Sequence, residues 1–361
     1  MTKRKVNKLS ITNEFVFEIV KTLISILIAL GLTFIVLFFV AKDPVGLFVK
    51  LLTSPLTKVR YFGNVIEMMI PIAFSGLAVS LLFRTGLFNL GIEGIYFIGG
   101  IVTAAVACTV IDSHFFHPII TILASATVGG LLMLIPGFLK AKYNANELVV
   151  SLMLNTIYLG LGIFIIKNFL RGIDTSAIAS PAFQQTAMLD YIIPNTRITI
   201  SFFLLLFVTL LVYLMLYKTK LGYTIRMTGL NRKFAVYSGM NAFTLFMLVH
   251  FISGFIGGIG TSVELLSLYG RFTWIVLPGL GFTGALMAML GRNNPVGVLI
   301  AAFFISYLSK GAEVMALGSE VPVEIMAIIQ AVLVLLISSQ YFLKKWRERQ
   351  LLKEGTANEF N

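Results

Sequence analysis

Apolar residues fill the chain in runs of roughly 20, parted by short polar stretches, and that pattern predicts membrane-crossing helices. The runs lie at Ile19 to Ala41, Val65 to Phe83, Phe88 to Ile111, Pro118 to Leu139, Leu148 to Phe169, Ile198 to Tyr217, Phe243 to Glu264, Trp274 to Leu290, Val296 to Leu308 and Val321 to Leu343. They amount to about ten crossings, the ninth of them short. Two runs are broken by glycine. GLFNLGIEGIYFIGG, at 86–100, also carries Asn89 and Glu93 at its centre, and Pro278-Gly279-Leu280-Gly281-Phe282-Thr283-Gly284 interrupts the eighth run. Lipid offers no hydrogen bonds, so irregular backbone and a carboxylate at membrane depth persist only where protein or a water-filled path surrounds them.

Composition agrees with the pattern: 58% of residues are hydrophobic and 12% charged, as in an all-α, polytopic membrane bundle. The net charge of +12 is distributed by topology. With the amino terminus inside, Arg84, Lys140, Lys142, Arg292 and the cluster from Lys218 to Lys233 fall on the cytoplasmic side, giving roughly two basic residues in for each one out. The basic stretch from Lys42 to Asn64, expected as an external loop, runs against that rule. Both termini are expected in the cytoplasm of a cell-membrane protein, as a segment over 1–18 and a basic tail over 344–361 that flank a transmembrane domain over 19–343. The positive charge then faces anionic lipid headgroups, not nucleic acid.

Five runs precede the long loop from Leu170 to Arg197 and about five follow it. An odd number per half inverts the second half relative to the first, and inverted repeats place a solute path between matching, interrupted helices. The two glycine-broken runs are the third of each half. Close approach of neighbouring helices is the competing reading of those glycines. Glu93 costs about 2.5–3.5 kcal/mol at mid-membrane on insertion scales. Its compensation comes either from backbone N–H groups at a half-helix start or from Asn89 and Asn155. It either lines the path or braces the broken helix. Glu67 and Glu264 are expected near span ends, reaching headgroup water.

Between the sixth and seventh runs, residues 222–241 read GYTIRMTGLNRKFAVYSGMN, within a loop over 218–243. Asn231 suits a helix N-cap, Gly239 a C-terminal stop, and Leu230, Phe234 and Tyr237 recur at helical spacing. Two turns are unstable alone, so this helix needs a groove in a partner, with those three side chains as anchors. A basic loop resting on headgroups is the alternative.

Catalytic chemistry finds no foothold: the sequence carries no phosphate-binding loop, nucleophile elbow or metal-ligand spacing. The single cysteine, Cys108, reads as a packed thiol, and His114, His117 and His250 lack a second ligand at usable spacing.

FRTGLFNLGIEG at 83–94, NELVVSLMLN at 146–155, the 222–241 loop and LGRNNPVGVLIAAFF at 290–304 together resemble the permease subunits of ATP-binding-cassette importers. The likeness is to the ribose and branched-chain amino-acid superfamily, in its nucleoside and simple-sugar branch. It implies two permeases, identical or homologous, a cytoplasmic ATPase that binds ATP and Mg, and an external substrate-binding protein, with no cofactor in this chain. By the same resemblance Gly229, Asn231, Ala235, Ser238, Gly239 and Asn241 belong to the coupling helix. Asn89, Gly91, Glu93 and Gly94 would belong to a discontinuous helix beside the path, with Asn146, Glu147 and Asn155 in its neighbour. Phe88, Tyr96 and Phe97 offer rings for stacking on a base, with ordinary packing the favoured reading of each because phenylalanine is so common here. Ile95 stands where this branch often has glutamine, and Thr283 where it often has aspartate. The rivals are a proton-coupled secondary transporter using Glu93 and a membrane-embedded enzyme.

Overall fold

The computed structural model describes residues 43–172, 178–194 and 196–317, with Gly31, Phe34, Ile35, Phe38 and Phe39 ahead of them. Apart from those five positions, the expected first run lies outside the described residues, as do the tenth run and the basic tail. Among the described residues the chain is helical: α1 Pro44–Thr57, α2 Val59–Arg84, α3 Ile92–Ala107, α4 Phe116–Tyr143, α5 Glu147–Phe169, α6 Ser201–Lys218, α7 Lys220–Leu230, α8 Arg232–Tyr237, α9 Ala242–Leu268, α10 Leu280–Leu290 and α11 Pro295–Ala316. One isolated antiparallel bridge, Tyr191 to Thr199, is the only extended pairing among the described residues.

Six of these helices, α2, α4, α5, α6, α9 and α11, are long and apolar enough to cross a membrane. The third and eighth runs become the shorter α3 and α10, because the glycine-rich segments stay out of the helix. Two boundaries correct the sequence reading. The ninth run is not short, since α11 continues to Ala316 through Lys310, whose Nζ meets Glu313 Oε1 at 2.8 Å. The Lys42–Asn64 stretch is helical over most of its length, holding α1 and the start of α2. Leu47 and Leu51, one turn apart on α1, bury the face that makes it fold.

Two compact units divide the chain, one spanning Lys58–Tyr307 and the other Met1–Thr57 with Leu308–Asn361. In the second unit Gly311 of α11 lies against the Leu51 carbonyl of α1. In the first, α9 packs along α4 and also against α2 and α3, while α10 lies on α2. The α4–α9 seam is made by small residues. A Cβ on Gly258 would come within 2.7 Å of the Ala126 Cα, and Ser125 Oγ donates across the seam to the Gly258 carbonyl at 3.0 Å. Without a hydrophobic drive between helices in lipid, such backbone approach supplies the packing. Leucine at Gly258 should force α4 and α9 apart, costing at least about 1–3 kcal/mol. Thermal melting of the purified protein tests this, and an unchanged midpoint would exclude the close contact.

Candidate functional site: a junction of broken helices

The segment between α2 and α3 satisfies its backbone by borrowing partners from several helices. Thr85, Gly86 and Leu87 donate to the last carbonyls of α2. Phe88 N–H reaches Glu147 Oε1 at 3.3 Å, Leu90 N–H reaches Ser151 Oγ at 3.1 Å and Gly91 N–H reaches Asn89 Oδ1 at 2.7 Å. Asn155, two turns along α5 from Glu147, closes the set: its Oδ1 accepts from Gly94 N–H at 2.9 Å and its Nδ2 donates to the Leu90 carbonyl at 3.1 Å. Irregular backbone inside an apolar bundle survives because side chains answer for it.

Depth follows from helix rise. Asn155 stands eight residues past the start of α5, roughly 12 Å at 1.5 Å per residue. The 11 residues of α10 span about 16 Å, half of a hydrocarbon core of about 30 Å. α3 and α10 are both shorter than the six long apolar helices, and both begin beside the buried Glu93.

Their two N-termini meet at one carboxylate. Glu93 lies in the first turn of α3 and is fully buried. Its Oε1 accepts from Gly279 N–H at 2.5 Å, and its Oε2 accepts from Gly281 N–H at 2.6 Å and Phe282 N–H at 3.4 Å. Gly281 and Phe282 N–H are the groups an N-cap side chain of α10 would take, but the residue there is Gly279, at φ 78°, with no side chain to offer. Glu93 caps α10 from another helix. Each helix N-terminus carries about half a positive charge, so two of them together match the one negative charge of the carboxylate. Gly281 lets the chains meet, because a Cβ there would overlap the Glu93 backbone.

Of the alternatives the sequence leaves for Glu93, the half-helix start supplies its partners, and the helix concerned is α10. Neither asparagine touches the carboxylate. Asn89 instead turns Nδ2 toward His250 Nε2 at 3.2 Å, while His250 Nδ1 lies 2.8 Å from the Phe246 carbonyl. That arrangement requires the proton on Nδ1 and leaves Nε2 to accept. His250 is thus part of the junction, which its isolation in an apolar run gave no sign of. Thr283 closes the first turn of α10 through Oγ1 to the Gly279 carbonyl at 3.0 Å. Phe88 stands at the exposed edge, stacked on Phe83 with ring centroids 4.8 Å apart. Tyr96 and Phe97 are buried in the bundle, with Tyr96 donating to the Pro71 carbonyl at 2.8 Å.

The 222–241 stretch is two helices. Asn231 caps α8, accepting from Phe234 N–H at 3.1 Å, and Gly239, at φ 81°, ends it. Leu230 is the last residue of α7 and so does not share a helix with Phe234 and Tyr237. All three are exposed, at 80%, 50% and 90%, while Ala235 between them is buried. Asn241 caps α9, accepting from Thr244 N–H at 3.1 Å, and Ser238 is the residue that closes α8. Gly229 places the end of α7 directly on the α2–α3 segment, where a Cβ would strike the Arg84 carbonyl. Cys108 follows α3 as its cap and sits half-buried, its Sγ 3.6 Å from the Pro181 carbonyl.

Long apolar helices around a polar junction of two shorter helices mark a multi-pass membrane protein. The chain belongs to the family described as branched-chain amino acid transport system / permease component, whose model matches residues 61–338. The guanosine ABC transporter permease protein NupP of Bacillus subtilis is 32% identical over 80% of this chain and 83% of its own length. The glucose ABC transporter permease protein TsgB13 of Haloferax volcanii is 29% identical over 90% and 88% of the two chains. The nucleoside ABC transporter permease protein NupB of Lactococcus lactis is 26% identical over 91% and 92%. No solved structure matches the chain.

Proposed function

We propose that this chain is the membrane-spanning subunit of an ATP-binding-cassette importer that translocates nucleosides or related simple sugars by alternating access. A separate cytoplasmic ATPase supplies the work, an external binding protein delivers the solute, and a second permease completes the path. The permease domain spans residues 19–343 in about ten crossings with inverted halves, and both ends are cytoplasmic. The reading rests on one observation above all: Glu93, in the first turn of α3, is held by backbone N–H groups at the start of α10. Relatives named for guanosine, nucleosides and glucose support the substrate class.

In this reading Glu93 is the brace, and the path runs beside it along Phe88 and the Thr283 face of α10. Asn89, Gly91, Gly94 and Asn155 hold the wall in shape. Both Glu93 oxygens are engaged by backbone N–H groups, which leaves neither turned toward a solute and favours this reading over proton coupling through that residue. Movement enters at α8, docked on the ATPase by Phe234 and Tyr237, and passes through the Gly229 contact into the 85–91 segment.

Uptake of labelled guanosine, cytidine and glucose into vesicles carrying the purified complex tests the function. Accumulation of at least one, dependent on ATP on the ATPase side, is expected. Accumulation that persists without the ATPase, or failure of all three with the complex intact, would refute it.

A further inference from the structure

One face of α5 carries Glu147, Ser151 and Asn155, each one turn beyond the last, and all three hold the segment between α2 and α3. Glu147 Oε1 takes Phe88 N–H, Ser151 Oγ takes Leu90 N–H, and Asn155 takes Gly94 N–H while donating to the Leu90 carbonyl. These contacts follow the segment from Phe88 to Gly94 and pass directly beside Glu93. A helix is stiff along its hydrogen-bonded length, so a force on the first turn of α5 reaches the whole segment.

That first turn is clamped to the end of α4. Lys140, in the last turn of α4, sets its Nζ 2.7 Å from Glu147 Oε2, with side chains only 15% and 13% exposed. Such shelter spares the pair much of the screening that weakens surface ion pairs. Between the two helices Asn144 sits as the left-handed cap of α4, at φ 50°, and Asn146 caps α5 through Leu148 and Val149 N–H. Asn144 Oδ1 accepts from Arg232 Nη1 of α8 at 3.1 Å, and the Arg232 guanidinium also lies over the Phe246 ring of α9, 5.0 Å from its centroid. The helix α8 thus bears on the segment twice: through Gly229 at the Arg84 carbonyl, and through Arg232 at the base of α5.

We propose that α5 is a second arm of the coupling device. Arg232 carries displacement of α8 through Asn144 and the Lys140–Glu147 clamp into α5, which moves the 88–94 segment along its length while Gly229 moves it at Arg84. Both arms are required, because a segment gripped at one end bends instead of shifting as a body. Lys140, Asn144 and Glu147 are positioning residues, acting on the segment and not on the solute. The inference rests on the docking role proposed for α8 and adds the route by which its movement travels.

Uptake of labelled guanosine, cytidine and glucose per ATP hydrolysed, in vesicles carrying the purified complex, provides the test. A merely structural role would lower uptake and hydrolysis together and leave their ratio alone. Asn144→Gly keeps the left-handed cap, which glycine adopts freely, and removes only the acceptor of Arg232. It should retain its ATPase and its hydrolysis, while the ratio falls about tenfold, the weight of one hydrogen bond to a charged group. Asn144→Asp returns an acceptor to that place and should restore the ratio. Lys140→Met should lower the ratio and Lys140→Arg should keep it, and Asn144→Gly with Lys140→Met should be no worse than the lower single variant, as for two links of one chain. An unchanged ratio in Asn144→Gly overturns the proposal, as do equal losses in Asn144→Gly and Asn144→Asp or multiplied losses in the double variant. Loss of the ATPase from purified Asn144→Gly would make the contact a docking one and refute the route as well. Should Lys140→Met fail to fold, the two Asn144 variants decide. A wild-type complex that takes up none of the three solutes, or takes them up without ATP, would refute the importer reading itself.

Discussion

Glu93→Gln should reduce solute uptake by about a hundredfold or more at equal expression. The carboxylate receives three backbone N–H groups from the start of α10, all acceptor work that an amide does with one oxygen only. The amide's NH₂ would point its hydrogens at N–H groups, leaving at least one buried donor unmatched at about 1–3 kcal/mol. It would also remove the charge between two helix N-termini. Breaking a buried charge interaction from one side costs about 3–5 kcal/mol in other proteins. A loss of 3 kcal/mol already shifts the closed junction by more than a hundredfold, at tenfold per 1.4 kcal/mol. Glu93→Asp is shorter by one methylene and should be intermediate. Gly281→Ala perturbs the same junction without touching charge, because its Cβ would overlap the Glu93 backbone, so it should impair uptake too. Copurification of the ATPase is the control, since α8 lies elsewhere. Normal uptake by both Glu93→Gln and Gly281→Ala would falsify the brace.

How much of this was legible beforehand depends on the range of the interaction. The apolar runs placed α3, α4, α5, α6 and α9 to within a few residues, because a membrane helix is written in one continuous stretch, while the starts of α2 and α10 and the end of α11 lie further off. Lys310 misled at the ninth run, since a charge reads as a boundary until its Glu313 partner is seen. The two helix breaks were visible in their glycines, and the cap at Asn231 in its spacing from Phe234. For Glu93 a half-helix start stood as one of two partners, but which helix supplied it was not visible. The partner is a set of backbone N–H groups 186 to 189 residues away, and backbone donors leave no mark in a sequence. His250 was hidden for a related reason. A lone histidine in an apolar run acquires meaning only when Asn89, 161 residues away, is brought against it. Glu264 looked like an ordinary residue near a helix end, and its burial came from α2 and the start of α6, which no local window contains.

Charged replacements at Phe234 and Tyr237 carry the second large effect, loss of both ATPase copurification and uptake. These rings are 50% and 90% exposed on a six-residue helix held from behind by buried Ala235 and by Arg232, whose Nη1 meets Asn144 Oδ1 at 3.1 Å. A helix that short is stable only because its base is fixed, so the exposed rings remain presented for a partner. Burying one large apolar side chain is worth about 1.5–3 kcal/mol. Losing two, and placing charge in the groove instead, weakens docking by about a hundredfold to ten-thousandfold. Phe234→Asp with Tyr237→Asp should leave folding intact, because neither side chain belongs to the core. Undiminished ATPase recovery in the double variant would remove α8 from the interface. Gly229→Val separates docking from transmission. It leaves both rings in place but drives a side chain into the Arg84 carbonyl, at the contact between α7 and the 85–91 segment. That variant should retain its ATPase and hydrolyse ATP while uptake falls, because the push from α8 no longer reaches the junction at Glu93.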